Sequence, residues 1–485
     1  MSKLTSYKYP VRLFFRRSVL ITVELIRGPG AAALYVQLYE LLKRKIESGE
    51  LVADQKLPSK KKLASHLHVS VKTVENAYFQ LGLEGYIYSR EKVGYFVSNI
   101  QGFYRGVLKE KPVYHSKYHE DTYRLDIKAN MTPIEMFPLS VWTRLGREVA
   151  ADEGRRLLET VPFNGVEQLR KAIADHLRDF RGMEVSPDQV IIGSGTEYLY
   201  QRLIHLLGSE CVVGMEDPGY SHIKKILTVE NVKYRCIPMD ESGICVDKLE
   251  MSDCIAVHVS PMHHFPLGLT MPVKRRVELL QWVNKKPGRF IIEDDYNCEY
   301  IYQGAPVPPL YKLDVRQRVI YMNTFSKSVA PSIRVAYMVL PESLMDRYLN
   351  TMSFYSCTVS SEVQFRLARF ISGGHFERYI HRVRQRNIEQ RKIVQEGFER
   401  SIVAQKAHLI KNVAGTHFLV RLETTRSDKY VKDILLRHGI LASFVSEFCE
   451  QVIPGLEHLL ILNYSRIIRE DIDYLTLILD KALQE

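Results

Sequence analysis

From residue 126 onward, stretches of helical period alternate with short, uninterrupted apolar runs, and this restricts the chain to an α/β body in which helices cover a sheet. Gly165-Val166-Glu167-Gln168-Leu169-Arg170-Lys171-Ala172-Ile173 opens an amphipathic helix, and Val190-Ile191-Ile192-Gly193 reads as a short buried strand. Phe290-Ile291-Ile292 runs into the acids Glu293-Asp294-Asp295, and Val319-Ile320-Tyr321-Met322 runs into Asn323-Thr324-Phe325-Ser326-Lys327. Apolar residues make up 46% and charged residues 25% of 485, ordinary values for a globular protein. That length suits roughly three domain-sized units. No apolar run approaches the ~18 residues of a membrane-spanning helix. The seven cysteines are scattered and form no CxxC pair, so neither a disulfide framework nor a zinc finger is expected, and no residue is assigned to a metal. A reducing, cytoplasmic setting is the expectation.

Charge divides the chain unequally. The first 120 residues hold 20 Lys and Arg against 10 Asp and Glu, whereas the remainder holds 47 against 46. A basic module on a neutral body fits a nucleic-acid-binding head, with a merely solvated basic surface as the alternative. Residues 1–29 read as an N-terminal extension. Its first twenty residues carry Lys3, Lys8, Arg12, Arg16 and Arg17 without an acid, and a later translation start near Val19 or Leu20 is the alternative. Neither a long apolar core nor a cleavage site marks it as a signal peptide.

Residues 30–99 contain three helical segments and a hairpin. Leu34–Leu42 carries apolar residues at helical spacing, and Gly49 closes that helix. Ser59 is placed to cap a second helix that begins Lys60-Lys61-Lys62, and Ser70 a third that begins Val71-Lys72-Thr73. Val74, Ala77, Tyr78 and Leu81 form the buried stripe of the third helix, leaving Lys72, Thr73, Glu75 and Asn76 outward. Gly85–Tyr88 and Gly94–Val97 alternate as two strands of a wing around Ser89–Val93. Two short helices joined by a tight turn can set the second into a major groove, where Thr73 and Asn76 are of the right types for base edges. Lys60, Lys61, Arg90 and Lys92 suit phosphates. A three-helix protein-docking module is the alternative.

The order Leu-Pro-Ser, Leu-Ala, Val-Ser-x-x-Thr-Val-x-x-Ala-Tyr-x-x-Leu and Glu-Gly-Tyr, followed by a glycine wing, resembles a GntR-type winged helix. That resemblance implies binding to double-stranded operator DNA through Ser59, Lys60, Lys61, Ser70, Lys72, Thr73, Asn76, Arg90, Lys92 and Gly94. Val71 stands where such heads usually have arginine, and three lysines follow Leu57-Pro58-Ser59, so base preference does not transfer. Residues 100–125, with Gly102, Gly106 and Pro112, read as a linker between the head and a body at 126–485.

In the body, a strand followed by Ser194-Gly195-Thr196 and a helix start offers backbone N–H groups and a hydroxyl to an anion, although many structural turns look the same. An acidic strand end, a strand ending in hydroxyls and Lys327, and Arg334 seven residues on together supply what pyridoxal 5′-phosphate needs: an amine, a carboxylate for its ring nitrogen, and donors for its phosphate. Further markers are Phe137-Pro138 with Trp142, Glu216-Asp217-Pro218-Gly219-Tyr220, and His263-His264-Phe265-Pro266-x-Gly268. With these the body resembles fold-type I aminotransferases, α/β proteins with a mostly parallel central sheet. The whole chain resembles the MocR/GabR regulators, which join such a body to a GntR head.

The resemblance implies that Lys327 forms the internal aldimine, with Asp294 rather than Asp295 on the ring nitrogen. It implies that Tyr296 meets the ring hydroxyl and Tyr220 stacks on the ring. It places Ser194, Gly195, Thr196, Thr324, Ser326 and Arg334 around the phosphate. It also implies a homodimer, since fold-type I sites form at dimer interfaces. Two departures bear on the ligand. Phe265 replaces the asparagine that enzymes place before Pro-x-Gly, and Ile461 occupies the position of the arginine that clamps an amino-acid carboxylate, with Arg466 nearby but expected to point elsewhere. The expected function is a DNA-binding regulator that senses pyridoxal phosphate itself or an amine or amino-acid effector. A working aminotransferase with an accessory head, and a body that only dimerises, are the alternatives.

Overall fold

The computed structural model describes residues 25–26, 31–100, 123–128, 134–208, 210–302, 307–410 and 415–484. The extension and the linker lie almost wholly outside these residues. The chain divides into two compact units, Met1–Glu120 and Asp121–Glu485.

In the first unit, helices α1 (Leu34–Glu47), α2 (Lys60–His66) and α3 (Val71–Leu83) bury one stripe each. Leu38, Leu42 and Ile46 of α1 meet Leu63 and Ala64 of α2 and the α3 stripe Val74, Ala77, Tyr78 and Leu81 in one core. Both expected caps are made: Ser59 accepts from the Lys62 N–H at 3.3 Å and Ser70 from the Thr73 N–H at 3.0 Å. Each satisfies a donor that the helix itself leaves unpaired. Strands β1 (Ile87–Arg90) and β2 (Gly94–Val97) pair antiparallel, Ile87 opposite Val97. The wing turn is tight, with Lys92 at φ +59° and Gly94 at φ +128°.

The second unit opens with β3 (Leu125–Asp126). The large sheet draws on β4 (Val190–Gly193), β5 (Val213–Asp217), β6 (Tyr234–Asp240), β7 (Gly243–Ile244), β8 (Ala256–Val259), β9 (Phe290–Asp294), β10 (Val319–Thr324) and β11 (Ala336–Val339). Their spatial order is β4-β11-β10-β9-β8-β5-β6-β7, with the run from β10 to β6 parallel and β11 antiparallel to both neighbours. Strands β4, β8, β9, β10 and β11 are buried at every position, which is why their sequences read as unbroken apolar runs rather than alternating ones.

A smaller antiparallel sheet follows, formed by β12 (Ala407–Ile410), β13 (His417–Leu422), β15 (Ser443–Phe444) and β16 (Leu459–Asn463) in the order β12-β13-β16-β15. Strand β14 (Ile440–Leu441) pairs in parallel with β3. Leu125, expected at the end of the linker, is therefore a strand residue: its N–H donates to the Gly439 carbonyl at 3.1 Å and its side chain enters the small-lobe core. Two residues with a partner 315 positions away carry no local period, so the pairing was invisible in the sequence.

Candidate functional site

A cleft of about 470 Å³ opens at the carboxyl ends of β9 and β10 and reaches the small-lobe residues Ser443, Glu447, Phe448 and Ile461. Open α/β sheets bind ligands at this edge because strand ends and helix starts converge there. Six of the residues that the resemblance assigns to the cofactor line the cleft: Thr196, Tyr220, Asp294, Tyr296, Thr324 and Lys327. Ser194 and Gly195 immediately precede Thr196, and Ser326 lies between Thr324 and Lys327, whereas Arg334 reaches the Gly195 turn through its guanidinium.

Asp294 and Asp295 are adjacent and both buried, yet they face different surroundings. Asp295 is held by Arg181, Nη2 to Oδ2 at 2.7 Å, and by the Tyr321 hydroxyl at 2.8 Å. Both members of that ion pair are about 1% exposed. Successive side chains leave a strand end on opposite sides, so Asp294 turns the other way, into the cleft. Its Oδ2 lies 3.6 Å from His258 Nε2, and its Oδ1 is buried with no hydrogen-bond partner among the described residues. A buried carboxylate oxygen without a donor is costly, and a protonated ring nitrogen is the kind of donor that would complete it.

Lys327 stands in the short helical turn Phe325–Ser328, which Thr324 caps by accepting from the Ser326 N–H at 3.1 Å. Burial pulls the Lys327 ammonium below its usual pKa, opposed by Asp294 and Glu197. An amine more readily deprotonated is a better nucleophile toward a carbonyl. The Ser326 hydroxyl is buried without a hydrogen-bond partner among the described residues. Arg334 adopts the left-handed conformation, φ +50° and ψ +46°, unusual for a residue with a side chain. From there its guanidinium crosses the Ser194–Thr196 turn to Glu197 at 2.9 Å. Gly195, at φ +117°, makes room: a Cβ there would lie 2.4 Å from Arg334 Nη2. The Arg334 guanidinium thus lies against the turn that starts the helix Thr196–Leu207, and Thr196 and Thr324 line the cleft, so a cation, hydroxyls and a helix N-terminus offer the donors a phosphate requires. These features fit pyridoxal 5′-phosphate.

Other partners are less direct. The Tyr296 hydroxyl donates to the His263 carbonyl at 2.9 Å, and burial drives its pKa upward. Tyr220 is 39% exposed, with its ring edge-on to Phe265 at 6.2 Å. Ile461 and Phe265 both line the cleft, so the two departures noted in the sequence fall inside it, while Arg466 is exposed. Sequence reading did not single out Lys128, Ser221, His222, Lys225, Ser260, Ser443, Glu447 or Phe448 as cleft residues. Most come from loops or from the distant small lobe and lack a motif of their own. His222 lies two residues beyond Tyr220 and was within reach of the same argument.

In the first unit, Lys61 and Lys92 are exposed. Lys60 is held by Glu75 at 3.0 Å, and its ammonium lies 5.4 Å from the Tyr95 ring centre. Lys72 meets the same carboxylate at 3.1 Å. The Thr73 and Ser70 hydroxyls lie 2.8 Å apart, so Thr73 is engaged at the helix cap, whereas Asn76 is half-buried one turn further on. Arg90 lies over the wing, 4.7 Å from the Phe96 ring and 2.9 Å from the Tyr88 hydroxyl.

Comparison with known proteins agrees with both halves. A profile of class I and II aminotransferases matches residues 124–455, and one of bacterial regulatory proteins of the gntR family matches residues 34–97. The uncharacterized HTH-type transcriptional regulator YdeL of Bacillus subtilis is 35% identical over 84% of this chain and 88% of its own. The probable rhizopine catabolism regulatory protein MocR of Rhizobium meliloti is 31% identical, covering 82% of this chain and 83% of its own. The chain belongs to the MocR/GabR family of transcriptional regulators. The HTH-type pyridoxine biosynthesis transcriptional regulator PdxR of Corynebacterium glutamicum is 30% identical over 74% of this regulator and 78% of its own length. Among solved structures, an archaeal alanine:glyoxylate aminotransferase superposes with a TM-score of 0.66 at 24% identity. It covers 74% of the regulator and 90% of the enzyme, which establishes the body's fold. The regulator is therefore a helix-turn-helix DNA-binding protein with an aminotransferase-like body. Among the described residues no helix is long and apolar enough to cross a membrane.

Proposed function

We propose that the regulator holds pyridoxal 5′-phosphate at Lys327 and that occupancy of this cleft sets how its winged helix engages an operator. Residues 30–99 are the DNA-reading unit in this proposal and 126–485 the ligand-binding body. The observation that carries it is the unpartnered Asp294 Oδ1 lying in the same cleft as the depressed-pKa amine of Lys327. When bound, the cofactor supplies an aldehyde to which a primary amine adds and a cationic ring that withdraws electrons. Lys327 provides the resident amine. Asp294, with His258 behind it, keeps the ring nitrogen protonated. Arg334, Ser194, Thr196, Thr324, Ser326 and the backbone at Gly195 hold the phosphate, Tyr220 covers the ring face, and Tyr296 orients the ring hydroxyl.

The effector is the cofactor itself or a small amine. Ile461 offers an α-carboxylate no counter-charge, and burying an unpaired carboxylate is unfavourable, so an ordinary amino acid clamped in the enzyme manner fits poorly. Two copies form a homodimer and present two heads to two half-sites. Any ligand acts only through different affinities for the two arrangements of those heads. The relative named for pyridoxine biosynthesis supports cofactor sensing. The intact set Lys327, Asp294 and Arg334 favours a second reading, a transaminase. Sustained turnover with a panel of amino donors and keto acids, without DNA affinity, would establish it.

The test combines trapping with DNA binding. Borohydride treatment of cofactor-loaded protein should leave a mass adduct on the peptide containing Lys327, absent in Lys327→Ala. Affinity for the region upstream of the regulator's own gene should change on adding pyridoxal phosphate in the wild type alone. An adduct that survives Lys327→Ala refutes the assignment.

A further inference from the structure

The recognition helix carries a carboxylate where DNA binding alone would favour none. Glu75 lies on the second turn of α3, on its outward side. It accepts hydrogen bonds from two ammonium groups at once: Lys60 at 3.0 Å through Oε1 and Lys72 at 3.1 Å through Oε2. Lys60 is the first residue of α2, so the first of these pairs joins the two helices of the DNA-reading motif. The three side chains are 29%, 74% and 41% exposed for Lys60, Lys72 and Glu75. The group is therefore on the surface and open to competing anions. Lys60 has a second tether in the Tyr95 ring of the wing. Two lysines beside the start of the recognition helix thus share one carboxylate within the molecule, which offsets one of their two charges. They are held by an oxyanion of much the same geometry as a phosphate oxygen.

Resting on the reading of residues 30–99 as the DNA-binding unit, we propose that Glu75 is an affinity-limiting residue that lowers electrostatic binding to DNA by occupying Lys60 and Lys72. Non-specific binding comes from lysines and arginines that displace counterions from phosphates. A lysine already paired with Glu75 releases fewer counterions when it meets DNA, because an internal ion pair must open first. Base-edge contacts from Asn76 do not pass through this exchange. The carboxylate therefore weakens binding to every sequence alike while leaving direct readout in place.

The test uses the full-length protein and a fluorescent random-sequence duplex, with binding measured by anisotropy across a series of KCl concentrations. Glu75→Gln should bind this duplex roughly five-fold more tightly at low salt, because exposed ion pairs are individually weak. Its log–log salt dependence should steepen by about 0.9 for each lysine released. Repeating Glu75→Gln in a Lys60→Ala/Lys72→Ala background should abolish the gain. An unchanged or weaker affinity for Glu75→Gln, or a gain that persists without the two lysines, overturns the proposal. If the wild type binds duplex with a clear salt dependence and Glu75→Gln matches it, the role of Glu75 falls and the DNA-binding reading stands. If neither protein binds duplex, both fall.

Discussion

Substituting the two neighbouring acids at the end of β9 should give opposite phenotypes. Asp295→Asn leaves the Arg181 guanidinium, about 1% exposed, facing a neutral amide. Removing one partner of a buried ion pair typically costs about 3–5 kcal/mol, because the remaining charge stays desolvated. The Tyr321 hydroxyl still finds an oxygen to donate to, so the loss comes mainly from the charge. Asp294→Asn removes a carboxylate that makes no ion pair closer than the 3.6 Å approach of His258 among the described residues and whose other oxygen has no described partner. That change should alter stability by less than about 1 kcal/mol, in either direction. Urea unfolding of the cofactor-free proteins at pH 7, followed by far-UV circular dichroism, measures both. Asp295→Asn should unfold at clearly lower urea with an unchanged slope, while Asp294→Asn should keep its midpoint and lose affinity for pyridoxal phosphate. Equal destabilisation by the two substitutions would refute the assignment of one acid to the fold and the other to the cleft.

Further outcomes follow from individual contacts. Ile461→Arg places a cation in the cleft where an α-carboxylate would otherwise be unpaired. α-Amino acids should then perturb the visible spectrum of the cofactor-loaded protein at concentrations about ten-fold or more lower than in the wild type. Burial raises the Glu216 carboxyl to about 7, while its Oε2 accepts from the Ser260 N–H at 2.9 Å. The folded state therefore keeps a proton that the unfolded chain has already released. Its contribution is fully present below the ordinary carboxyl pKa and lost as pH rises through about 7. Glu216→Gln should remove that decline, making the variant relatively more stable at pH 8 than at pH 4.5 by about 1–3 kcal/mol. Thermal melts across that range measure it, and parallel curves for the two proteins would contradict it. In the winged helix, Lys92→Ala should reduce the salt slope on any duplex by about 0.9, whereas Asn76→Ala should change base preference in a binding-site selection. Equal losses on selected and random DNA for Asn76→Ala would remove it from base readout.

The local features were legible from the chain alone. Ser59 and Ser70 announce helix starts because a hydroxyl there satisfies an orphan N–H whatever surrounds it. The apolar runs of β9 and β10 announce a covered sheet because a strand buried on both faces has no use for polar residues. Asp294 and Lys327 drew attention the same way, at or just past the end of such a run, while Arg334 stood out by its place seven residues beyond Lys327. The choice between Asp294 and Asp295 could be argued only by resemblance, since adjacent acids have equal local claims. Arg181, 114 residues away, decides it by neutralising Asp295 in the core.

Pairing across the fold accounts for the rest. The parallel strand of Leu125 with Ile440, the approach of Ser443, Glu447 and Phe448 to Lys327, and the capture of Lys60 by Glu75 all join residues whose spacing in sequence carries no period. Sequence alone pointed to the capped helices of the first unit, to the buried strands β4, β9 and β10 and to the candidate site residues, because those follow from backbone and burial preferences over a few residues. Which acid faces the cleft, what lines its far wall and which lysines already share a carboxylate depend on distances set only when the elements pack. Charge compensation and desolvation act over those distances and are blind to sequence separation.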